Sequence, residues 1–540
     1  MSDRLSAELP GKKARPISRV TVFNPAKGLN ENAAPALIDD REFSEAVNIE
    51  YDDGGVARKR MGYTTYSAAL TAARGLAFLS NDSYNQVCTV DGTTLKYTTG
   101  STWTTVATPT FTSGKQVNMT QARGNLYIWN GTDGGAVWTG AALTRPGTMP
   151  SAKFSVYFNE YNIAAGTSTK KNRVYISELA DSSKFTRASG ILNNSTEVPG
   201  ATVFSGTTAN YIDIQPDDGD KITALAAFQD SVIIFKQYAI YQLSLDSTGT
   251  PSVVLITRST GCVSYKSVVA VENDLYFLSR EGVRVFGNQP NYFNSIRTSL
   301  ISQPIQPTID SITEAQYERC NGVYFNKQYM LSLPTTTGVL DKTIVFHTEY
   351  RGWSIWENTN SDSMLKYVNT SDEEFLLFLG SDGTQAYKFT PDVYTDNGSP
   401  IECYLLSKVF DFANPDITKY FLDIGLMFRS VQGQINIQIF TDGTTLFGNE
   451  DVGLANNNAS DGMGISMIGS AVLGTGGGTA NDAGTVSDDV YRVVLKTKAT
   501  SIRFRLENSR NNEFFVLLGY IFGFYPYSHF LFDSAKKIYL

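Results

Sequence analysis

Phe228-Gln229-Asp230-Ser231-Val232-Ile233-Ile234-Phe235 lies without a gap over Val271-Glu272-Asn273-Asp274-Leu275-Tyr276-Phe277-Leu278, 43 residues downstream (228 to 271). Further on, Ile240 and Leu243 lie over Val283 and Phe286. Each copy reads as strand, polar turn, apolar strand, second turn, strand. A unit of this kind cannot bury both faces alone, so its repetition implies sheets stacked or arranged radially. The period suits a β-propeller blade of roughly 40–50 residues.

Weaker copies extend the array. Arg123-Gly124-Asn125-Leu126-Tyr127-Ile128-Trp129 and Phe158-Asn159-Glu160-Tyr161-Asn162-Ile163 repeat the turn-then-strand pattern, and Asn172–Ile176 adds a strand. Asn321–Leu331 reads as two strands around Asn326-Lys327. Hairpins are expected around Asp91-Gly92 and Asp382-Gly383, dipeptides that supply the positive φ of tight turns. About six or seven units fit between Gly75 and Phe389, a usual number for a closed propeller. An ordinary β-sandwich with chance similarity stays open as the alternative.

The chain has 540 residues, enough for two or more domains. Its 29 Tyr, 31 Phe and 45 Gly favour many short strands. Helical spacing is confined to two short candidates, Pro35–Val47 and Ser311–Arg319. The expected fold is all-β: a six- or seven-bladed propeller over 21–400, then a β-sandwich-like domain over 401–540. There, Leu422–Leu426 and Ile435–Ile439 alternate at period two, as half-buried strands do. Insertions are expected near 188–211 and 289–312, and a long Gly/Asn-rich loop over 453–489. Residues 1–20 read as a flexible basic arm in which Lys12, Lys13, Arg15 and Arg19 are candidate partner-binding residues.

A net charge of −8 argues against gripping nucleic acid by its phosphates, though not against a passage through which DNA slides. Cys88, Cys262, Cys320 and Cys403 lack metal-type spacing and read as buried thiols of a reducing compartment. The N-terminus has no apolar signal core, and Phe514–Phe524 is too short to span a bilayer, so neither export nor a membrane span is expected.

A search for chemistry finds little. The two histidines, His347 and His529, have no triad motif around them. The glycines at 474–478 lack the lysine and helix of a phosphate loop. Asp217-Asp218-Asp220 and Asp372-Glu373-Glu374 read as solvated loops. No catalytic, cofactor or metal residues are assigned, and no enzymatic activity is expected.

Several phrases together resemble the propeller-bearing nozzle proteins of short-tailed bacteriophages, also called tail tubular, tail accessory or packaged-DNA stabilisation proteins. They are Asn24–Asn30, Ala46–Ile49, Lys59–Tyr63, Asn172–Leu179 with Phe185, Asp220–Leu243, Gly261–Phe286, Gly352–Trp356 and Tyr394–Ile401. The likeness covers most of 24–430 and fades beyond. It implies a virion structural protein, assembled in the host cytoplasm, that forms a ring of six copies below portal and adaptor. The ring would retain and then conduct the genome without sequence-specific contacts, and would support fibres or spikes. Six copies would carry roughly −48 charges around the channel, a weakly repelling wall. The competing readings are a receptor-binding fibre component and a propeller lectin or glycosidase acting on host-surface glycans.

Overall fold

A computed structural model describes residues 17–52, 54–186, 201–203, 210–246, 251–288, 296–335, 338–369, 371–454, 465–467 and 489–526. These residues are mostly strand. Five antiparallel sheets follow one another along the chain. Blade 1 begins with Ala73–Ser80, blade 2 with Asn118–Ala122, blade 3 with Phe154–Phe158, blade 4 with Ile222–Phe228 and blade 5 with Val269–Val271. A sixth sheet closes the wheel. It takes three strands from Ser361–Val368, Glu374–Gly380 and Ala386–Phe389, and its next strand, Tyr63–Thr65, from far upstream. Pairing sequence-distant strands in one blade locks the two ends of the ring together and removes an open edge.

Between blade 5 and the closing blade lies a four-stranded antiparallel unit, Asn321–Phe325, Gln328–Leu333, Lys342–His347 and Trp353–Glu357. This bridging unit does not end as the six blades do. Its last strand pairs with Gly28–Leu29 and Glu42–Val47, which continue through Cys403–Ser407 into the C-terminal strands. Propeller and C-terminal β-domain therefore share one 16-stranded sheet.

The repeat that signalled the fold survives as geometry. Phe228 faces Ser231 across a two-residue turn with Gln229 at φ 51°, and Val271 faces Asp274 with Glu272 at φ 54°. Val232 pairs with Leu243 and Leu275 with Phe286, so aligned residues occupy the same rungs. Apolar clusters fill the seams. Phe235 of blade 4 meets Phe277 of blade 5 with ring centroids 5.0 Å apart.

Three expectations about individual elements change. Glu42–Val47 is a strand, not part of a helix. A bulge between Phe43 and Glu45 lets Phe43 and Ala46 both face inward, so a β-strand shows helix-like i, i+3 spacing. Of the second helix candidate, Glu314–Arg319 forms a short 3-10 turn. The stretches 422–426 and 435–439 belong to one 23-residue strand, Lys419–Thr441. With no turn former strong enough to reverse it, this strand bends through bulges and feeds two ladders, first against Asp489–Ala499 and Phe514–Pro526, then against Thr445–Leu454 and Ile502–Asn508.

The N-terminal boundary also moves. Ser18–Phe23 pairs along Phe514–Pro526, and Ile49–Tyr51 with Ala57–Lys59 extends that edge, so 18–59 belong with the C-terminal sheet and not with blade 1. Part of the insertion near 289–312 is blade 5's fourth strand, Ile296–Leu300. Within that near 188–211, Ala201–Val203 pairs with Tyr211–Ile214. Residues 188–200 and 204–209, residues 1–16, and most of 453–489 lie outside the described residues.

Candidate functional site: the axial face and the domain junction

The first strand of each sheet packs against that of the next around most of the wheel, and the turn Tyr265–Ser267 fills the position between blades 4 and 5. Polar residues at the starts of these innermost strands converge on one face. Asp362, at the start of the closing blade, is 2% exposed. Its Oδ1 accepts from Gln116 Nε2 at 3.0 Å, and its Oδ2 from the Gly75 amide at 3.3 Å. Arg74 lies 3.5 Å and Lys266 3.8 Å from the same carboxylate. Lys266 Nζ also donates to Gln116 Oε1 at 2.8 Å. Burial lowers the Lys266 pKa, and the Asp362 charge works against that fall. Groups from blades 1 and 2, the closing blade and the turn before blade 5 meet here, so the network ties separate sheets of the wheel together at their inner strands.

Beside the axis lies a cleft of about 270 Å³ lined by Lys153, Phe154, Lys171, Lys221, Tyr265 and Glu318 among others. Glu318 accepts from Lys153 at 2.6 Å and Lys221 at 3.2 Å. Burial pushes the Glu318 carboxyl up, but the two lysines outweigh it and hold its pKa below the usual value.

The second constellation sits where propeller and C-terminal sheet join. Arg60 is fully buried and its guanidinium donors are saturated. They reach Asp396 Oδ2 at 2.6 Å and Oδ1 at 2.8 Å, Asn48 Oδ1 at 2.9 Å, the Glu357 carbonyl at 2.9 Å and the Met61 carbonyl at 3.1 Å. Asn48 in turn accepts the Glu357 amide and donates to the Glu402 carbonyl. Gly28, at φ 81°, packs backbone to backbone on Trp353, and a Cβ there would stand 2.5 Å from Trp353 N and O. Five phrases that carry the family resemblance, in 24–30, 46–49, 59–63, 352–356 and 394–401, thus meet at one junction.

The residues singled out from sequence fare unevenly. Arg19 lies in Ser18–Phe23, half-exposed, 3.6 Å from Asp423. Lys12, Lys13, Arg15, His529 and the glycines at 474–478 lie outside the described residues. His347 is a buried strand residue whose Nδ1 accepts the Tyr350 amide at 3.3 Å. The acidic runs serve local structure. Asp218 pairs with Lys236 at 2.5 Å, Asp220 accepts the Gln237 and Tyr238 amides, and Glu374 pairs with Lys366. All four cysteines are buried free thiols. Among the described residues no His, Cys, Asp and Glu gather into a metal-binding group, and no helix is long and apolar enough to cross a membrane. Sequence reading missed the axial residues, although a signal existed: each lies at or just before the start of a blade's first strand, where a propeller brings such positions together.

No family model and no curated protein matches the chain. Among solved structures, the N-terminal BBS1 fragment in complex with ARL6DN has 11% identity and a TM-score of 0.37, covering 62% of this chain and 98% of that one. The computationally designed Ika8 protein has 10% identity and a TM-score of 0.34, covering 61% and 100%. Apo AztD from Citrobacter koseri has 10% identity and a TM-score of 0.30, covering 52% and 86%.

Proposed function

We propose that this chain is a structural protein of a short-tailed phage virion, a subunit of the nozzle ring at the end of the tail. Six copies would surround a bore that continues the DNA channel below portal and adaptor, and would carry fibres or spikes outside. The role is mechanical and non-enzymatic. DNA passes without sequence-specific binding, and assembly takes place in the host cytoplasm. The observation that carries this reading is the junction around Arg60 and Gly28. There the phrases that resemble those of nozzle proteins weld the propeller to the C-terminal sheet through a saturated buried arginine and direct backbone packing. A weld of this kind suits a part that must keep its shape while DNA is driven past it. The polar network among the inner strands fits as well, since on this reading the conduit runs between subunits and not through a wheel.

Negative-stain imaging of the purified protein tests the reading. Ring-shaped particles with a central hole support it. Trimers that bind host cells would favour a fibre component, and turnover of a chromogenic glycoside would favour a glycosidase.

A further inference from the structure

The cleft between blades 3 and 4 has a composition that a mechanical role does not require. Lys153 precedes the first strand of blade 3, Lys221 precedes that of blade 4, and Lys171 lies in a turn of blade 3. Three lysines thus line one opening against a single carboxylate, Glu318, in a chain whose net charge is −8. Glu318 is half-exposed and bridges Lys153 and Lys221, so an anion carried by the chain itself already uses part of the lysine set. Lys171 is exposed at the rim.

The floor is aromatic and apolar. Phe154 and Tyr265 stack with centroids 5.3 Å apart, and Ile222 and Val263 complete it. The opening is near the lower end of small-molecule sites, roughly 300 Å³, so it fits a compact body and not a chain.

We propose that this cleft binds a small organic anion, one carboxylate or phosphate on a ring-sized body such as an acidic sugar. Its charge engages Lys171 and Lys221 as Glu318 swings outward, and the ring lies on the Phe154–Tyr265 floor. The proposal is independent of the ring assembly and holds for an isolated subunit.

Isothermal titration of the full chain with glucuronate, inorganic phosphate and neutral glucose, at low and at physiological salt, tests it. Saturable glucuronate binding that outlasts physiological salt is expected, with phosphate weaker and glucose silent. Lys221→Ala is expected to weaken binding about tenfold or more, the loss of a hydrogen bond to a charged group. Glu318→Gln, which removes the resident competitor, should tighten it several-fold. Circular dichroism shows whether each variant folds, and Lys171→Ala, at the exposed rim, repeats the test if another does not. The proposal falls if neither anion saturates in the millimolar range. It also falls if glucose binds equally well, or if binding is unchanged by Lys221→Ala.

Discussion

Replacing Arg60 by alanine should do more damage than any exposed substitution. Arg60 is 0% exposed and all its donors are engaged, two of them in a bidentate pair with Asp396, itself 6% exposed. Removing the guanidinium leaves a buried carboxylate without its counter-charge, a loss of about 3–5 kcal/mol. The Arg60 guanidinium lies 5.7 Å from the Trp356 ring, so tryptophan fluorescence during urea unfolding reports on this site. The pH dependence carries a sign. Burial raises the Asp396 pKa, and the Arg60 hydrogen bonds and charge oppose the rise. Without Arg60 the folded-state pKa climbs further above the unfolded value, so the folded state holds the proton more tightly. The penalty is then absent below the unfolded pKa and grows as pH rises through the folded one. Arg60→Ala should therefore lose most at about pH 7–8 and progressively less toward about pH 4. Arg60→Met with Asp396→Leu should recover much of the loss, since an apolar pair leaves no stranded charge. A loss below about 1 kcal/mol, or a double variant no better than Arg60→Ala, would refute the reasoning.

Three further outcomes are expected. Gly28→Ala should cost at least about 2 kcal/mol, since it combines a left-handed φ with a clash against Trp353, whereas Gly92→Ala, with open space around it, should cost about 1 kcal/mol; urea midpoints compare the two. Burial acts to raise the Asp91 pKa, but amides of Thr71 and Ala72 and the Lys96 ammonium hold it below the usual range. Its stabilisation is thus present above the unfolded pKa and lost as pH falls, so Asp91→Asn should destabilise at neutral pH and match wild type under acid in thermal melts. Burial pushes the thiols of Cys262, Cys320 and Cys403 up to about 12, and Cys88 upward as well, so a disulfide thiol reagent at mildly alkaline pH should find no reactive cysteine before urea and four after it.

The blades were legible because their information is local. A polar turn at Gln229-Asp230 or Glu272-Asn273 and an apolar strand after it state the hairpin within about a dozen residues. The junction was not, because its partners are hundreds of residues apart. Nothing near Arg60 announces Asp396, and nothing near Tyr63–Thr65 announces the closing blade. The bulge in Glu42–Val47 illustrates a different failure, in which one extra residue shifts the alternation and imitates a helix. The break in alternation between Leu426 and Ile435 hid the continuity of Lys419–Thr441, since each bulge shifts which residues face inward while the strand runs on. For the axial face, the residue types were visible but their convergence depended on ring closure.

A cryo-electron-microscopy reconstruction of the purified protein tests the central claim most directly. The account predicts a sixfold ring whose open bore lies between subunits, with the inner strands of each propeller tied together at Asp362, Arg74 and Lys266. A trimeric or monomeric particle, or a bore running through the propeller axis itself, would contradict it.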